Sequence, residues 1–177
     1  MKKKIDVKEY ANQIIQAITK GILLNTKDEK FNSMNIGWGG LGTNWALPVF
    51  TVYVREGRFT REQLDHNPNF TISIPVKGIN PKIVKVCSRE SGRHIDKVKE
   101  ANLTLEEAEV NGVPGIKEYP LTLECKVLYR QEQKLDLYDE KVKHFYPQDV
   151  GSENVGANKD VHVMYIGEIV DAYIIED

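Results

Sequence analysis

Hydrophobic and polar residues alternate in several short stretches of this chain, as they do in half-buried β-strands. The stretch at 70–75, FTISIP, places its hydrophobic residues on one face, and the stretch at 49–55, VFTVYVR, is rich in β-branched and aromatic residues. These patterns predict strands at 22–24, 34–38, 49–55, 70–75, 121–130 and 161–175, the last as one long strand or a pair. The side chains of 121–130 expected to point inward are those of Leu121, Leu123, Cys125 and Val127.

Helical spacing of hydrophobic residues is clearest near the start of the chain. Residues 6–20 are predicted to form a helix that ends at Gly21, since glycine is favoured just after a helix. A short helix is predicted at 60–66, where Thr60 and Gln63 have the spacing of a capping box. Further helices are predicted at 81–89, 94–101 and 136–145. The hydrophobic face of the first helix is expected to comprise Val7, Ala11, Ile14, Ile15 and Ile18.

The order of these elements favours an antiparallel architecture. Strands and helices do not alternate regularly, so a parallel sheet with crossover helices is not expected, and a mainly β antiparallel barrel with helical insertions fits better. A length of 177 residues suits one domain, which we expect to span residues 1–177. The most loop-like segment is GSENVGANKD at 151–160, either a plain surface loop or a mobile loop beside a site.

Composition excludes several classes of protein. The formal net charge of −2 argues against a general nucleic-acid binder, which usually carries a basic excess. No apolar run follows the basic start of the chain and no stretch approaches a membrane span, so we expect no signal peptide, no membrane contact and a cytoplasmic location. Cys87 and Cys125 lie in no Cys/His cluster, and the histidines have no ligand spacing, so no metal site is predicted. The two cysteines are interpreted as buried free thiols, with a redox role as the alternative.

A glycine-rich segment at 37–42, GWGGLG, is predicted to be a loop or a bulged segment. It lacks the GxGxxG spacing between a strand and a helix that a dinucleotide fold needs, and no P-loop lysine follows it. A dinucleotide fold is therefore not predicted.

Two basic segments could each bind an anion. Arg55 and Arg58 follow the 49–55 strand, and Thr60 stands at the predicted start of a helix, where backbone N–H groups and the helix dipole favour a phosphate. The alternative is a solvated basic strand end with a simple helix cap.

Ser91, Gly92, Arg93 and Lys97 form the second basic segment. Serine and glycine can present a hydroxyl and backbone N–H groups, and Arg93 and Lys97 would share a face if both lay on a helix. The alternative is a turn between helices that carries surface charges. Two segments capable of binding anions raise the expectation that one ligand joins them.

Two further features could belong to a site. The stretch NSMNIGW at 32–38 offers amides for the edge of a heterocycle and a tryptophan for its face, or it is a core strand. In the last strand, His162 points away from the face of Val161 and Val163, with Tyr165 nearby. His162 is either a site residue or a structural histidine.

Taken together, four segments resemble the flavin reductase-like domain family, the FMN-binding split barrels that include flavoredoxin. The segments are NSMNIGWGGLGTNWALPVFTVYVREGRFT, SRESGRHIDK, YPLTLECKVLYRQ and DVHVMYIGEIVDAY. Their order and spacing match the family over nearly the whole chain. The resemblance implies a six-stranded antiparallel split β-barrel that forms a homodimer, with FMN near the interface.

The resemblance also implies roles for individual residues, with His162 near the flavin and nicotinamide as a candidate catalytic residue. Three positions depart from the family pattern: Asn35 replaces a frequent threonine or serine, Phe59 a frequent tyrosine, and His94 a frequent acidic residue. The stretch implied to line the isoalloxazine is Asn32, Met34, Asn35, Ile36, Gly37 and Trp38. Those implied to hold the ribityl chain and phosphate are Arg55, Arg58, Phe59, Thr60, Ser91, Gly92, Arg93 and Lys97.

Three functions remain open on this basis. The first is an oxidoreductase that takes hydride from NAD(P)H onto FMN and passes electrons to an acceptor. The second is an electron carrier of flavoredoxin type that exchanges electrons with a redox protein, without significant NAD(P)H oxidation. The third is a barrel that binds another ligand, or no cofactor. For any phosphate ligand, we expect Arg93 to matter far more than Arg89 or Lys99.

Overall fold

Most of the chain is organised by one large antiparallel sheet. A computed structural model describes residues 1–146 and 161–176. The strands are β1 (Lys2–Lys4), β2 (Ile22–Lys27), β3 (Phe31–Ile36), β4 (Gly39–Asn44), β5 (Leu47–Arg55), β6 (Asn69–Ile74), β7 (Leu105–Glu106), β8 (Gly115–Ile116), β9 (Leu121–Glu132) and β10 (His162–Ile175). The helices are α1 (Ala11–Ile18), α2 (Phe59–His66), α3 (Pro81–Arg89), α4 (Lys97–Ala101) and α5 (Glu140–Lys143), with a 3-10 turn at Leu135–Leu137.

The sheet runs in the order β3-β2-β6-β9-β10-β5-β4, with β1 beside β10 and with β7 and β8 forming a separate small sheet. All pairings of named strands are antiparallel, which confirms the mainly β antiparallel architecture. The main sheet has eight strands over the described ranges, rather than six. The additional strands are the short β1 and the glycine-rich β4.

β10 is the longest strand, and it joins the two halves of the sheet. It pairs with β9 on one side and with β5 on the other, and its pairing with β9 is interrupted at Ile166/Gly167 and Ile169/Asp171. At Gly167 an added Cβ would lie 2.6 Å from the ring of Phe70. Glycine therefore allows β10 to pass close to the core at the point where the strand bends.

Residues 39–42 of the glycine-rich segment belong to strand β4, so the prediction of a loop or a bulged segment at 37–42 is wrong for these residues and holds only for the link at 37–38. β4 pairs along its length with β5, and the turn between them is made by Trp45 and Ala46, both with positive φ. An added Cβ at Gly39 would lie 2.9 Å from the carbonyl oxygen of Thr51. The glycine thus serves close approach between strands rather than loop formation.

The predicted first helix at 6–20 is longer than α1, because turns occupy residues 7–10 before the helix begins. Ile14 and Ile18 are buried as predicted. Ile15 is 54% exposed, so its placement on the buried face is wrong. Each residue turns a helix by about 100°, so Ile15 lies about 100° from Ile14 and about 60° from Ile18, at the edge of the buried stripe.

The predicted helix at 136–145 is divided into a 3-10 turn and α5. Tyr138 has extended backbone angles, and the Asp139 side chain accepts a hydrogen bond from the Lys141 N–H to begin α5. By contrast, the predicted helix at 81–89 coincides with α3. The predicted loop at 151–160 lies outside the described residues.

The core lies inside the curved sheet, and a second hydrophobic cluster lies outside it. The inner cluster draws side chains from β2, β3, β5, β6, β9 and β10 and is covered by α1. The outer cluster packs Leu23 of β2 against α3, α4 and the segment that carries β7 and β8. This outer layer fixes α3 and α4, and hence the turn that connects them. Its members are Leu23, Ile83, Cys87, Ala101, Leu103, Ile116 and Tyr119.

Both cysteines are buried free thiols, as predicted. Burial raises the pKa of Cys87 and that of Cys125, so each is a thiol rather than a thiolate near neutral pH.

No group of three His, Cys, Asp or Glu side chains in residues 1–146 and 161–176 could hold a metal ion. None of the helices in these ranges combines the length and apolar character that crossing a bilayer requires.

Gly167→Ala should destabilise the protein by about 1–3 kcal/mol, because the new methyl group overlaps the Phe70 ring and the Cβ of Cys125. Gly40→Ala is the matched control, since an added Cβ at Gly40 meets nothing within 4 Å. Urea unfolding of the two variants measures the difference. Equal stabilities would show that Phe70 moves aside without cost.

Candidate functional site

The start of α2 is fixed to β3 by buried side chains. The Asn32 amide donates from Nδ2 to Thr60 Oγ1 at 2.9 Å, and the Thr60 hydroxyl approaches Met34 Sδ at 3.7 Å. Asn32 and Thr60 are both almost completely buried. The helix start is therefore held in place by β3, which is distant in sequence.

These contacts overturn the predicted capping box of Thr60 and Gln63. The N-cap position of α2 is Arg58, and no side chain caps the helix. Gln63 instead accepts a hydrogen bond from the Thr26 hydroxyl and donates to the Lys30 carbonyl oxygen. The side chains of Thr60 and Gln63 therefore form hydrogen bonds with residues distant in sequence instead of capping α2.

The first residue of α4 is also fixed to β3. Lys97 Nζ donates to the carbonyl oxygen of Ser33 at 2.8 Å, and Lys97 is only 5% exposed. Asp96 caps α4, so the helix begins three residues later than the predicted 94–101 helix. Arg93 therefore lies in the turn before α4, and the prediction that Arg93 and Lys97 share a helical face is wrong.

A cavity of about 260 Å³ lies between α2 and the turn that links α3 to α4. Both basic segments contribute to its wall. Its cationic side chains are those of Arg58, Arg89, Arg93 and Lys97, against the single carboxylate of Glu90. The complete lining is Asn32, Met34, Gly57, Arg58, Phe59, Thr60, Arg89, Glu90, Ser91, Gly92, Arg93, His94 and Lys97.

Gly92 is held against the floor of this cavity. An added Cβ would lie 2.2 Å from Asn32 Oδ1 and 3.0 Å from the ring of Phe59, so no side chain fits at this position. Asn32 Oδ1 is buried and has no hydrogen-bond partner among the described residues. A buried, unpaired acceptor therefore lies directly against Gly92 at the cavity wall.

Two cations lie over the ring of Phe59 at the cavity wall. Lys30 Nζ lies 5.3 Å from the centre of the ring and the Arg93 guanidinium carbon 5.8 Å from it. Arg93 also forms an ion pair with Glu62. The arginine is thus ordered by contacts that the chain itself supplies.

Lys97 is the cation most affected by its surroundings. Burial lowers its pKa to about 8; Cys87 opposes this shift, Arg58 adds to it and Glu90 opposes it. The ammonium is still mostly charged at neutral pH, but holding it there is unfavourable. An anion beside Lys97 would favour the charged form.

A second group of predicted site residues gathers at the start of β10. The ring centres of Trp38 and His162 lie 4.9 Å apart, and the two ring planes are inclined by 33°. Arg55 is the register partner of His162 in the β5–β10 pairing. Tyr146 contacts both rings, with centre-to-centre distances of 6.2 Å to Trp38 and 5.9 Å to His162. Val163 and Tyr165 are in the inner core, so His162 faces away from them as expected.

The remaining predicted residues do not line the cavity. An added Cβ at Gly21 would lie 2.8 Å from Asn35 Oδ1, which places the Asn35 side chain beside Gly21. Ile36 belongs to the inner core, and Gly37 is exposed in the link to β4. The residues of 32–38 expected to line one ring-binding site therefore lie in two places. Asn32 and Met34 line the cavity, whereas Trp38 lies beside His162.

Sequence reasoning missed five residues at this site. Gly57, Arg89, Glu90 and His94 line the cavity, and Glu62 pairs with Arg93. Arg89 and Glu90 directly precede Ser91, so the basic turn could have been extended toward α3. No local pattern connects Glu62 to Arg93, because 31 residues separate them.

Solved structures with a similar fold include proteins named as a flavoredoxin and as an NADH:FAD oxidoreductase. A flavoredoxin from Methanosarcina acetivorans is 25% identical with a TM-score of 0.63, the match covering 88% of this chain and 68% of that one. An NADH:FAD oxidoreductase from Streptomyces globisporus is 14% identical with a TM-score of 0.62, covering 98% and 87%. A split-barrel protein from Shewanella frigidimarina is 17% identical with a TM-score of 0.63, covering 98% and 76%. No curated protein sequence matched the chain.

The family is shown by the sequence itself. The profile of the Flavin reductase like domain matches residues 41–177, which is well over half of the chain. The mainly β antiparallel sheet agrees with the split-barrel neighbours. The chain therefore belongs to the Flavin reductase like domain family.

Proposed function

We propose that this protein binds FMN and uses it as an NAD(P)H-dependent oxidoreductase. The observation that supports this most strongly is the shared cavity, in which basic residues from two segments distant in sequence surround the start of α2. Backbone N–H groups at a helix start and arginine side chains are the donors that bind phosphate well. The similarity to a flavoredoxin and to an NADH:FAD oxidoreductase supports a flavin as the phosphate-bearing ligand.

The residues of the cavity fit the ribityl phosphate end of FMN. Gly92 lets the turn between α3 and α4 pack directly on Asn32 and Phe59, which brings the backbone of this turn to the cavity wall. The buried Asn32 Oδ1 can accept a hydrogen bond from a ribityl hydroxyl group. Arg58, Arg93 and Lys97 supply positive charge for the phosphate.

We assign the group around Trp38 to the ring end of FMN. Trp38 and His162 place two neighbouring rings next to Arg55, and Gly37 directly precedes Trp38 in the exposed link to β4. When bound, FMN would accept hydride from the nicotinamide, and this step requires no acid or base from the protein. His162 is the candidate for contact with the ring and the nicotinamide. We also propose that the chain is a homodimer, which light scattering would test.

An electron carrier of flavoredoxin type is the second candidate. The flavoredoxin from Methanosarcina acetivorans is 25% identical to this chain, compared with 14% for the NADH:FAD oxidoreductase. Such a carrier would keep FMN bound and exchange electrons with a redox protein.

One experiment separates these functions. The purified protein is stripped of any ligand, titrated with FMN, and then mixed anaerobically with NADH or NADPH while flavin absorbance is followed. Bleaching of excess free flavin supports the reductase. Tightly held FMN with negligible NAD(P)H oxidation supports the carrier. A protein that binds no FMN contradicts both.

Arg93→Ala should weaken FMN binding by about 1–3 kcal/mol, because a charge-assisted phosphate contact is lost. Lys99→Ala is the control, since Lys99 is exposed on α4 and does not line the cavity. Arg89 is unsuitable as a control because it does line the cavity. Calorimetric titration with FMN measures both variants. Equal affinities would contradict the phosphate assignment.

FMN affinity should fall as the pH rises above about 8, because Lys97 then loses its proton. A bound phosphate favours the charged lysine, so binding takes up a proton above this pH and affinity decreases by up to about tenfold per pH unit. Lys97→Met should bind FMN more weakly at neutral pH and lack this decrease. Lys99→Met should keep it. A wild-type affinity constant from pH 7 to pH 9.5 would contradict the role of Lys97.

A further inference from the structure

Arg93 is clamped by the first part of α2 rather than directed freely into the cavity. Its Nε donates to Glu62 Oε2 at 3.3 Å, and its Nη2 donates to Glu62 Oε1. Nη1 and Nη2 both donate to the Gly57 carbonyl oxygen, each at 3.2 Å. The guanidinium therefore bridges the residues on either side of the N-cap, Arg58.

This arrangement uses most of the hydrogen-bonding capacity of Arg93. A guanidinium has five N–H donors, and the contacts with Glu62 and Gly57 engage about four of them. A phosphate in the cavity can form a two-pronged contact with Arg93 only if Glu62 gives up its share. Glu62 and a ligand phosphate thus compete for the same donors.

Glu62 is well suited to this competition. It lies in the first turn of α2, where the helix dipole also favours a negative charge. The hydrogen bond from Arg93 lowers the pKa of the Glu62 carboxyl, so it is ionised at neutral pH. The ion pair is also partly exposed, with side-chain exposures of 36% for Arg93 and 44% for Glu62. Exposed ion pairs are weak, so a dianion can displace this one.

We propose that Glu62 is a positioning residue that occupies Arg93 in place of the ligand phosphate and keeps a phosphate-bearing flavin exchangeable. This inference rests on the proposed function for the identity of the ligand. It predicts that the carboxylate lowers affinity for the phosphate group and leaves the contribution of the flavin ring unchanged. A residue that only stabilised α2 would alter both contributions in the same direction.

The test compares Glu62→Gln with the wild-type protein, using FMN and riboflavin, which lacks the phosphate. Glutamine keeps the shape of the side chain and removes its charge. We expect FMN to bind about tenfold more tightly to the variant and to dissociate more slowly, because a charge-assisted contact becomes available to the phosphate. Riboflavin affinity should not change.

Asp65→Asn is the matched control. Asp65 lies on the same helix and forms ion pairs with Arg61 and Arg130, away from the cavity lining. Its neutralisation should leave the ratio of FMN to riboflavin affinity unchanged, which separates a local effect of Glu62 from a general change in charge.

Inorganic phosphate is the second probe, because it tests the cavity without a flavin. Tighter phosphate binding by Glu62→Gln, with no FMN binding by any variant, would refute the proposed function and leave the competition intact. Unchanged or weaker binding of both FMN and phosphate in Glu62→Gln would overturn the competition. An equal change in FMN and riboflavin affinity would also overturn it.

Discussion

The site depends on the way three consecutive residues of β3 hold two distant segments. Asn32 binds Thr60 at the start of α2, Ser33 accepts a hydrogen bond from Lys97 at the start of α4, and Met34 lies beside Thr60. Neither α2 nor the five-residue α4 is long enough to be stable by itself. Their positions, and therefore the cavity between them, are consequences of burial against β3.

The sequence predicts a feature of this arrangement well when the residues that determine it are close together along the chain, and poorly when they are far apart. The bounds of α3 were correct because its signal is local: Asn80 caps the helix and Pro81 occupies its first turn. Residue types alone predicted the two basic segments, Arg58 with Thr60 and Arg93 with Lys97, and raised the expectation of a shared ligand. The family resemblance strengthened that expectation because it carries tertiary information that periodicity lacks. The predicted capping box at Thr60 was wrong because the contacts that decide it are not local. The Thr60 hydroxyl contacts Asn32 and Met34, which lie 28 and 26 residues away in sequence.

The roles of the glycines show a similar limit. A cluster of glycines predicts conformational freedom, yet Gly39 and Gly92 are required for close contact, with Thr51 in one case and Asn32 in the other. The turn that ends β4 uses Trp45 and Ala46 at positive φ, which no sequence preference predicts. These steric requirements for glycine can be identified only once the position of the opposing strand or turn is known.

The cations that line the cavity are held close together by partners within the chain when no ligand is present. Lys97 donates to the Ser33 carbonyl oxygen, Lys30 and Arg93 lie over the ring of Phe59, and Arg93 pairs with Glu62. Each of these contacts reduces the repulsion among like charges in the free protein. Each also uses donors or positive charge that a bound phosphate would otherwise receive. If the cavity binds a phosphate as proposed, the affinity depends on the donors that these internal partners give up as much as on the number of cations that line the cavity.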